Sequence, residues 1–428
     1  MTARTPNLPQ RRGACPGLSA PMPTGDGLLV RLLPVGTIPL AAFIRLCAAA
    51  RNHGNGVVEV TARGSIQVRG LTRTSASPFA AGVVALGIAA EDGVPVLSNS
   101  LAGLDTEEIL DAGALAADLR RALARRSLAA RLAPKVSVVI DGGGALDLDR
   151  LAADVRLRAE ATTGGVTLRV GVGSDAARAT QLGVVAPNNG VEAAMRLLEL
   201  LARRGRDARA RDIFAAEGVA PFRSALADVL IGDALPTAPR KYSEAVGPHA
   251  LRDGSLACGI GLAFGHTRTS ALKRLTEAAG AAGAIGIRAA PDRTLMIIGL
   301  TQETFSSFAA AAEALGFIVR ADDPRRHVVA CAGVPICSSA LIAARAIAPV
   351  LAQASARHLG RSFAIHISGC AKGCAHPTPA ALTIVGTPRG CALIVDGSTR
   401  DIPFTVVPTN ELPAAIANFT REREASHV

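Results

Sequence analysis

Tryptophan is absent from this chain of 428 residues, tyrosine occurs once, and aromatic residues make up 3% of it. Proteins that hold single-stranded nucleic acid stack its bases on aromatic rings, so a platform of that kind is all but excluded. Lysine is nearly as scarce. Only Lys135, Lys241, Lys273 and Lys372 occur, and the rest of the 46 basic residues are arginine. No uninterrupted apolar run reaches the roughly 18 residues that a membrane-spanning helix needs. The opening residues, MTARTPNLPQRRGACPG, lack the apolar core of a secretory signal, so a reducing cytoplasm is the expected location. Cysteines in that compartment serve metals and redox chemistry rather than disulfides.

What is present narrows the reading further. An apolar fraction of 49% supplies material for a sizeable core, and the length allows two or more domains. The formal charge is +11. With so few stacking groups, that charge fits a small substrate bearing many carboxylates at least as well as nucleic acid. A protein of another class, holding RNA on its basic surface around a structural zinc or iron–sulfur site, is the second alternative.

The chain contains an internal repeat. DGLLVRLLPVG from Asp26 is answered by DGSLACGIGLAFG from Asp253. Gly70-Leu71-Thr72 is answered by Gly299-Leu300-Thr301, Phe79 by Phe308, and Leu86-Gly87 by Leu315-Gly316. The offset drifts only from 227 to 229 residues. Each unit reads as strand, helix, two strands around a turn, and a second helix. Leu40, Phe43, Ile44 and Cys47 mark one helical face. This predicts a ferredoxin-like α+β half-domain used twice. The segments between and after carry strand-like VSVVID, TLRVGVG, SFAIHIS, TIVG and CALIVDG, with helical stretches at VEAAMRLLELLARRGRDARARD, SSALIAARAIAPVLAQASARHL and the tail. The predicted organisation is a tail at 1–25, half-domains at 26–92 and 236–322, and larger α+β domains at 93–235 and 323–428.

The strongest chemical signal is Cys331-x5-Cys337 followed by Cys370-x3-Cys374. Four thiolates are the usual complement of a [4Fe–4S] cluster. Zinc also takes four thiolates, although its ribbons favour C-x2-C knuckles, which neither pair forms. Unrelated buried cysteines are the third reading. The other four cysteines show no ligand spacing. Cys47 and Cys391 read as core residues, and Cys15 carries no assignment. His366 and His376 flank the second pair without a partner at ligand spacing.

These features resemble the siroheme sulfite/nitrite reductase superfamily, and the likeness covers nearly the whole chain. Thr61-Ala62-Arg63-Gly64-Ser65-Ile66-Gln67 is similar to the reductases' TTRQ segment, Ala238-Pro239-Arg240-Lys241-Tyr242-Ser243 to LPRKFK, and Ser100-Leu101-Ala102-Gly103-Leu104-Asp105 to SPLAG-D. The form GCAKGCAHP, where the reductases have GCPNGC, and DGGG after VSVVI resemble the precorrin-3B synthase family within it. The resemblance implies a pseudo-two-fold, duplicated sulfite/nitrite-reductase-like α+β architecture. It implies a [4Fe–4S] cluster on Cys331, Cys337, Cys370 and Cys374, the last being the thiolate that bridges to siroheme iron in the reductases.

For the reaction, the resemblance implies oxygen-dependent hydroxylation of precorrin-3A at C20, with lactone formation, in aerobic cobalamin biosynthesis. It further implies dioxygen, an external NADH-linked electron donor, and a mononuclear non-haem iron for which His366 and His376 are candidate ligands. Siroheme and precorrin-3A are both tetrapyrroles fringed with carboxylates. One cavity suits both, with Arg63, Arg69, Arg240 and Lys241 as charge-assisted partners. Arg63, Lys241 and Lys372 are the candidate catalytic cations; two of the four lysines fall in these motifs, where a compact ammonium has a use. The alternative within enzymes is a siroheme-dependent sulfite or nitrite reductase. Two departures weaken it, because the second lysine of LPRKFK is Ser243 here and an arginine of the reductases aligns with Val94.

Overall fold

The computed structural model describes residues 16–425, apart from 89, 91–92, 235–239, 241–242, 360–363 and 377. The first repeat forms β1 (Met22–Thr24), β2 (Gly27–Leu32), β3 (Ile38–Pro39), α1 (Leu40–His53), β4 (Val57–Val60), β5 (Ile66–Leu71) and α2 (Ala76–Ala85). The next segment forms β6 (Val96–Ser98), α3 (Ala112–Arg125), β7 (Val138–Asp141), β8 (Val155–Thr162), β9 (Gly165–Val172), β10 (Thr180–Val185), α4 (Gly190–Arg204), α5 (Ala210–Glu217), α6 (Ala220–Ala225) and β11 (Leu230–Gly232). The second repeat forms β12 (Gly247–Ala250), β13 (Leu256–Gly261), β14 (His266–Arg268), α7 (Thr269–Ala281), β15 (Gly286–Ala290), β16 (Thr294–Leu300) and α8 (Gln302–Ala314). The last segment forms β17 (Val328–Ala330), α9 (Ala344–Ala354), β18 (Ile365–Ser368), β19 (Ala380–Thr387), β20 (Gly390–Gly397), β21 (Thr405–Val407) and α10 (Leu412–Ala425).

The two repeats make matching five-stranded sheets, β1-β2-β5-β4-β14 and β12-β13-β16-β15-β3. Each sheet takes its last strand from the other repeat. β14 pairs antiparallel with β4, and β3 pairs antiparallel with β15. The exchange is reciprocal, so neither repeat completes its sheet alone. α1 packs against α7, and one apolar core joins Phe43, Leu46 and Phe79 to Leu272, Leu275 and Phe308. Burying each such side chain contributes about 1.5–3 kcal/mol.

The repeated Gly-Leu-Thr has a local cause. Thr72 and Ser75 exchange side-chain-to-backbone hydrogen bonds ahead of α2, and Ser75 Oγ also donates to the His53 carbonyl. Thr301 and Thr304 do the same across the start of α8, with Thr304 Oγ1 donating to the Ala282 carbonyl. Reciprocal capping of this kind satisfies backbone donors that a helix start leaves open. Gly70 adopts φ 70°, and a Cβ there would stand 2.5 Å from Asn55 Cβ, so the glycine is required.

The chain divides into two compact units. Among the described residues, one comprises 93–103, 107–234 and 240, with 16–17. The other joins both repeats to the last segment. In the first unit β6, β7 and β8 run parallel, and β9, β10 and β11 complete the sheet antiparallel. The last segment follows the same plan, with β17, β18 and β19 parallel and β20 and β21 antiparallel. The sequence match stops at the half-domains, whereas the topology carries the duplication through both larger segments.

Two helical expectations change. The stretch from 191 to 212 breaks at Gly205, with φ 106°, into α4 and α5. The stretch from 338 to 359 is helical only over α9, because its first residues belong to the loop that holds cysteines.

Candidate functional site

The cysteine pairs sit at the carboxyl ends of adjacent parallel strands, where open α/β sheets leave a crevice for ligands. Cys331 follows β17 directly, and its N–H donates to the Ile367 carbonyl at 3.0 Å, extending the strand pairing. Cys370 follows β18 by one residue, and Ser368 Oγ donates to its carbonyl at 2.7 Å. The glycine between them carries the site. Gly369 N–H donates to Cys331 Sγ at 3.0 Å, and a Cβ there would lie 2.6 Å from Ala340 Cβ and 3.3 Å from that sulfur. Gly333, at φ 68°, turns the first loop where a Cβ would meet the Ala344 nitrogen at 2.4 Å.

None of the four cysteines is in a disulfide; Cys331, Cys337 and Cys370 are half-buried and Cys374 is exposed. Burial pushes the Cys331 thiol pKa up, the N–H groups of Gly369 and Gly333 oppose it, and charge on Cys337 or Cys370 raises it further. Backbone N–H groups aimed at sulfur and glycines where a side chain would intrude are what an iron–sulfur cluster needs from its surroundings. The surroundings of Cys331 thus suit a cluster ligand. Among the described residues no three His, Cys, Asp or Glu form a group that could hold a metal ion. Cys47 and Cys258, pushed up to about 12 by burial, are core residues. Cys391 is buried too, while Cys15 lies outside the described residues.

His366, on β18, is completely buried, and neither ring nitrogen has a hydrogen-bond partner. Its ring lies 5.5 Å from that of His376, edge to face. Burial lowers the His366 pKa to about 3, helped by the positive charges of His376 and Arg293. Burial and Arg293 also lower His376, against the Pro379 carbonyl. Both rings are neutral at pH 7, the form in which imidazole binds metal.

The cations fall in several places. Arg63 occupies the β4–β5 turn, where Thr61 Oγ1 receives the Arg63 and Ser65 N–H groups. Its backbone bridges Pro291 in the β15–β16 turn, and Asp292 N–H donates to the Ala62 carbonyl at 3.1 Å. The equivalent hairpin turns of the two repeats thus meet. Arg69 is buried against Asp26 and Glu59. Arg240 belongs to the first unit, where its guanidinium binds Asp141 and Asp149 and closes the DGGG loop. Arg69 and Arg240 therefore carry carboxylates of their own chain. Lys372 Nζ donates to Ser339 Oγ at 2.8 Å, linking the two cysteine loops. Lys241 lies outside the described residues.

Arg293 was not legible in the sequence. Its Nη2 donates to the Ala375 carbonyl at 3.3 Å, between Cys374 and His376. It stands in no motif, and the corresponding turn of the first repeat holds Gly64 and Ser65; only the meeting of the two turns brings it here.

Comparison with known proteins adds three findings. Residues 20–85 match the family model of the nitrite/sulfite reductase ferredoxin-like half domain. A protein named precorrin-3B synthase from Sinorhizobium sp. is 39% identical over 413 residues, covering 96% of this chain and 88% of that protein. Among solved structures, the Mycobacterium tuberculosis NirA protein superposes with a TM-score of 0.78 at 20% identity, covering 92% of this chain and 80% of that one.

Proposed function

The chain belongs to the precorrin-3B synthase family, and from that premise we propose that it is a monooxygenase that converts precorrin-3A to precorrin-3B. One atom of dioxygen enters at C20 as a hydroxyl group and the other leaves as water. An external donor supplies two electrons, two protons are consumed, and the ring A acetate closes the lactone. The relationship to a precorrin-3B synthase along nearly the whole chain carries this reading.

Cys331, Cys337, Cys370 and Cys374 would hold a [4Fe–4S] cluster, which, when bound, passes single electrons. The Gly369 N–H on Cys331 and the small residues around it support that assignment. The orphaned, buried His366 and its neighbour His376 suit a second, mononuclear iron. Arg63 and Lys241 are the proposed partners of substrate carboxylates, with Lys372 beside the cysteine loops. The rival reductase reading needs further cations that grip and protonate a small anion. At one aligned position stands Val94, packed in the apolar core of the first unit, and at the other Ser243.

Incubation of the anaerobically purified protein with precorrin-3A, reductant and isotopically labelled dioxygen tests the reading. Mass analysis is expected to find one labelled oxygen atom in the product. An unlabelled product, or intense siroheme absorption in the purified protein, would overturn it.

A further inference from the structure

Arginines from both repeats reach the last segment, and each ends on one cysteine loop. Arg69, on β5, is 5% exposed. Its guanidinium is braced by Asp26 at 3.1 and 3.2 Å and by Glu59 at 3.4 Å, and Nη2 donates to the Ile336 carbonyl at 3.3 Å. Ile336 immediately precedes Cys337. Arg293 is half-buried in the β15–β16 turn, with its backbone at φ 62°. Its Nη2 donates to the Ala375 carbonyl, and Ala375 immediately follows Cys374.

The two members of each cysteine pair differ in what supports them. Cys331 and Cys370 sit at strand ends, tied there by the Ile367 carbonyl and the Ser368 hydroxyl. The strand pairing does not extend to Cys337 or Cys374, which belong to the loops beyond. Each loop receives an arginine next to its outer cysteine, from a different repeat in each case. A planar guanidinium loses little freedom on such a bond.

We propose that Arg69 and Arg293 are positioning residues for Cys337 and Cys374, fixing the two thiols that the sheet does not hold so that the four-thiol set stands ready before metal enters. The purpose rests on the cluster reading, whereas the grip itself does not.

Hydrogen exchange of the full-length, metal-free protein, read peptide by peptide, tests the grip. Arg69→Gln is expected to speed exchange in residues 332–341 about tenfold, the scale of one charge-assisted hydrogen bond, and to leave residues 370–376 unchanged. Arg293→Gln should do the reverse. Both loops loosening alike in each variant, or neither loosening, would overturn the proposal. Should Arg69→Gln fail to fold, Arg69→Lys keeps a cation against Asp26 and Glu59 but is too short to reach Ile336 as well. It should restore thermal stability while exchange in 332–341 stays fast, and wild-type exchange there would remove Arg69 from the role.

Metal-loaded protein gives the second readout. Both glutamine variants should show altered electron paramagnetic resonance of the reduced cluster, and unaltered spectra would defeat the proposed purpose. Wild-type protein lacking iron and sulfide would defeat the cluster reading instead, leaving the exchange result to decide the grip.

Discussion

Cys374 is the exposed one of the four cysteines proposed to hold the cluster. Cys374→Ser should lose cluster and turnover together. Iron and sulfide analysis beside the oxygenation assay checks this, and full activity with three cysteines would remove Cys374 from the set. The neighbouring His366 shows what burial does to one residue. A buried imidazole with both ring nitrogens unpartnered costs free energy unless something binds there. The cysteine pairs stood out in the sequence by their spacing, because a proposed ligand role restricts residue type. Arg293 and the Arg69–Ile336 contact were not, because a long side chain ending on a backbone carbonyl leaves no motif.

Among the elements, the most informative are the parallel strands that open each larger segment. In the last segment Gly369, after the second strand, donates to Cys331, after the first. In the first unit Gly142 donates to Asn99 Oδ1 at 2.7 Å from the corresponding positions. The same strand-end geometry brings a glycine N–H to a thiol in one copy and to an amide oxygen in the other. Asp141 anchors the DGGG loop. Its burial raises the carboxyl pKa, but hydrogen bonds from and the charge of Arg240, with the N–H groups of Gly143 and Leu148, outweigh it and hold the value below 3.8. The unfolded chain then takes up the proton first as pH falls. The stabilisation is complete above about pH 4 and is lost as pH drops through the folded-state value. Urea unfolding should therefore show the penalty of Asp141→Asn constant from pH 7 to about 5 and shrinking below about 4. A penalty that does not vary with pH would contradict this account.

At the scale of the molecule, the reciprocal strands make the two repeats one folding problem. A fragment of residues 243–428 lacks β3, so β15 would present an unpaired edge, and the shared core would lose Phe43, Leu46 and Phe79. Such an edge invites aggregation. The fragment should lack a cooperative thermal transition by circular dichroism, and a sharp one would show that the repeats are independent. No helix among the described residues is long and apolar enough to cross a membrane.

Taken alone, the sequence was enough for the repeat and its half-domain pattern. Both depend on short stretches in each unit, where a cap or a glycine with positive φ constrains residue type locally. It also left a strand such as β8 unmarked, because Arg156 and Arg158 interrupt the apolar pattern while Arg156 is itself buried. Only the tertiary structure decided the strand exchange, the placement of Arg240 on a closed loop and the arginine grips on the cysteine loops. Those contacts join residues up to 267 positions apart, and at that distance pairing depends on where the packed elements come to rest.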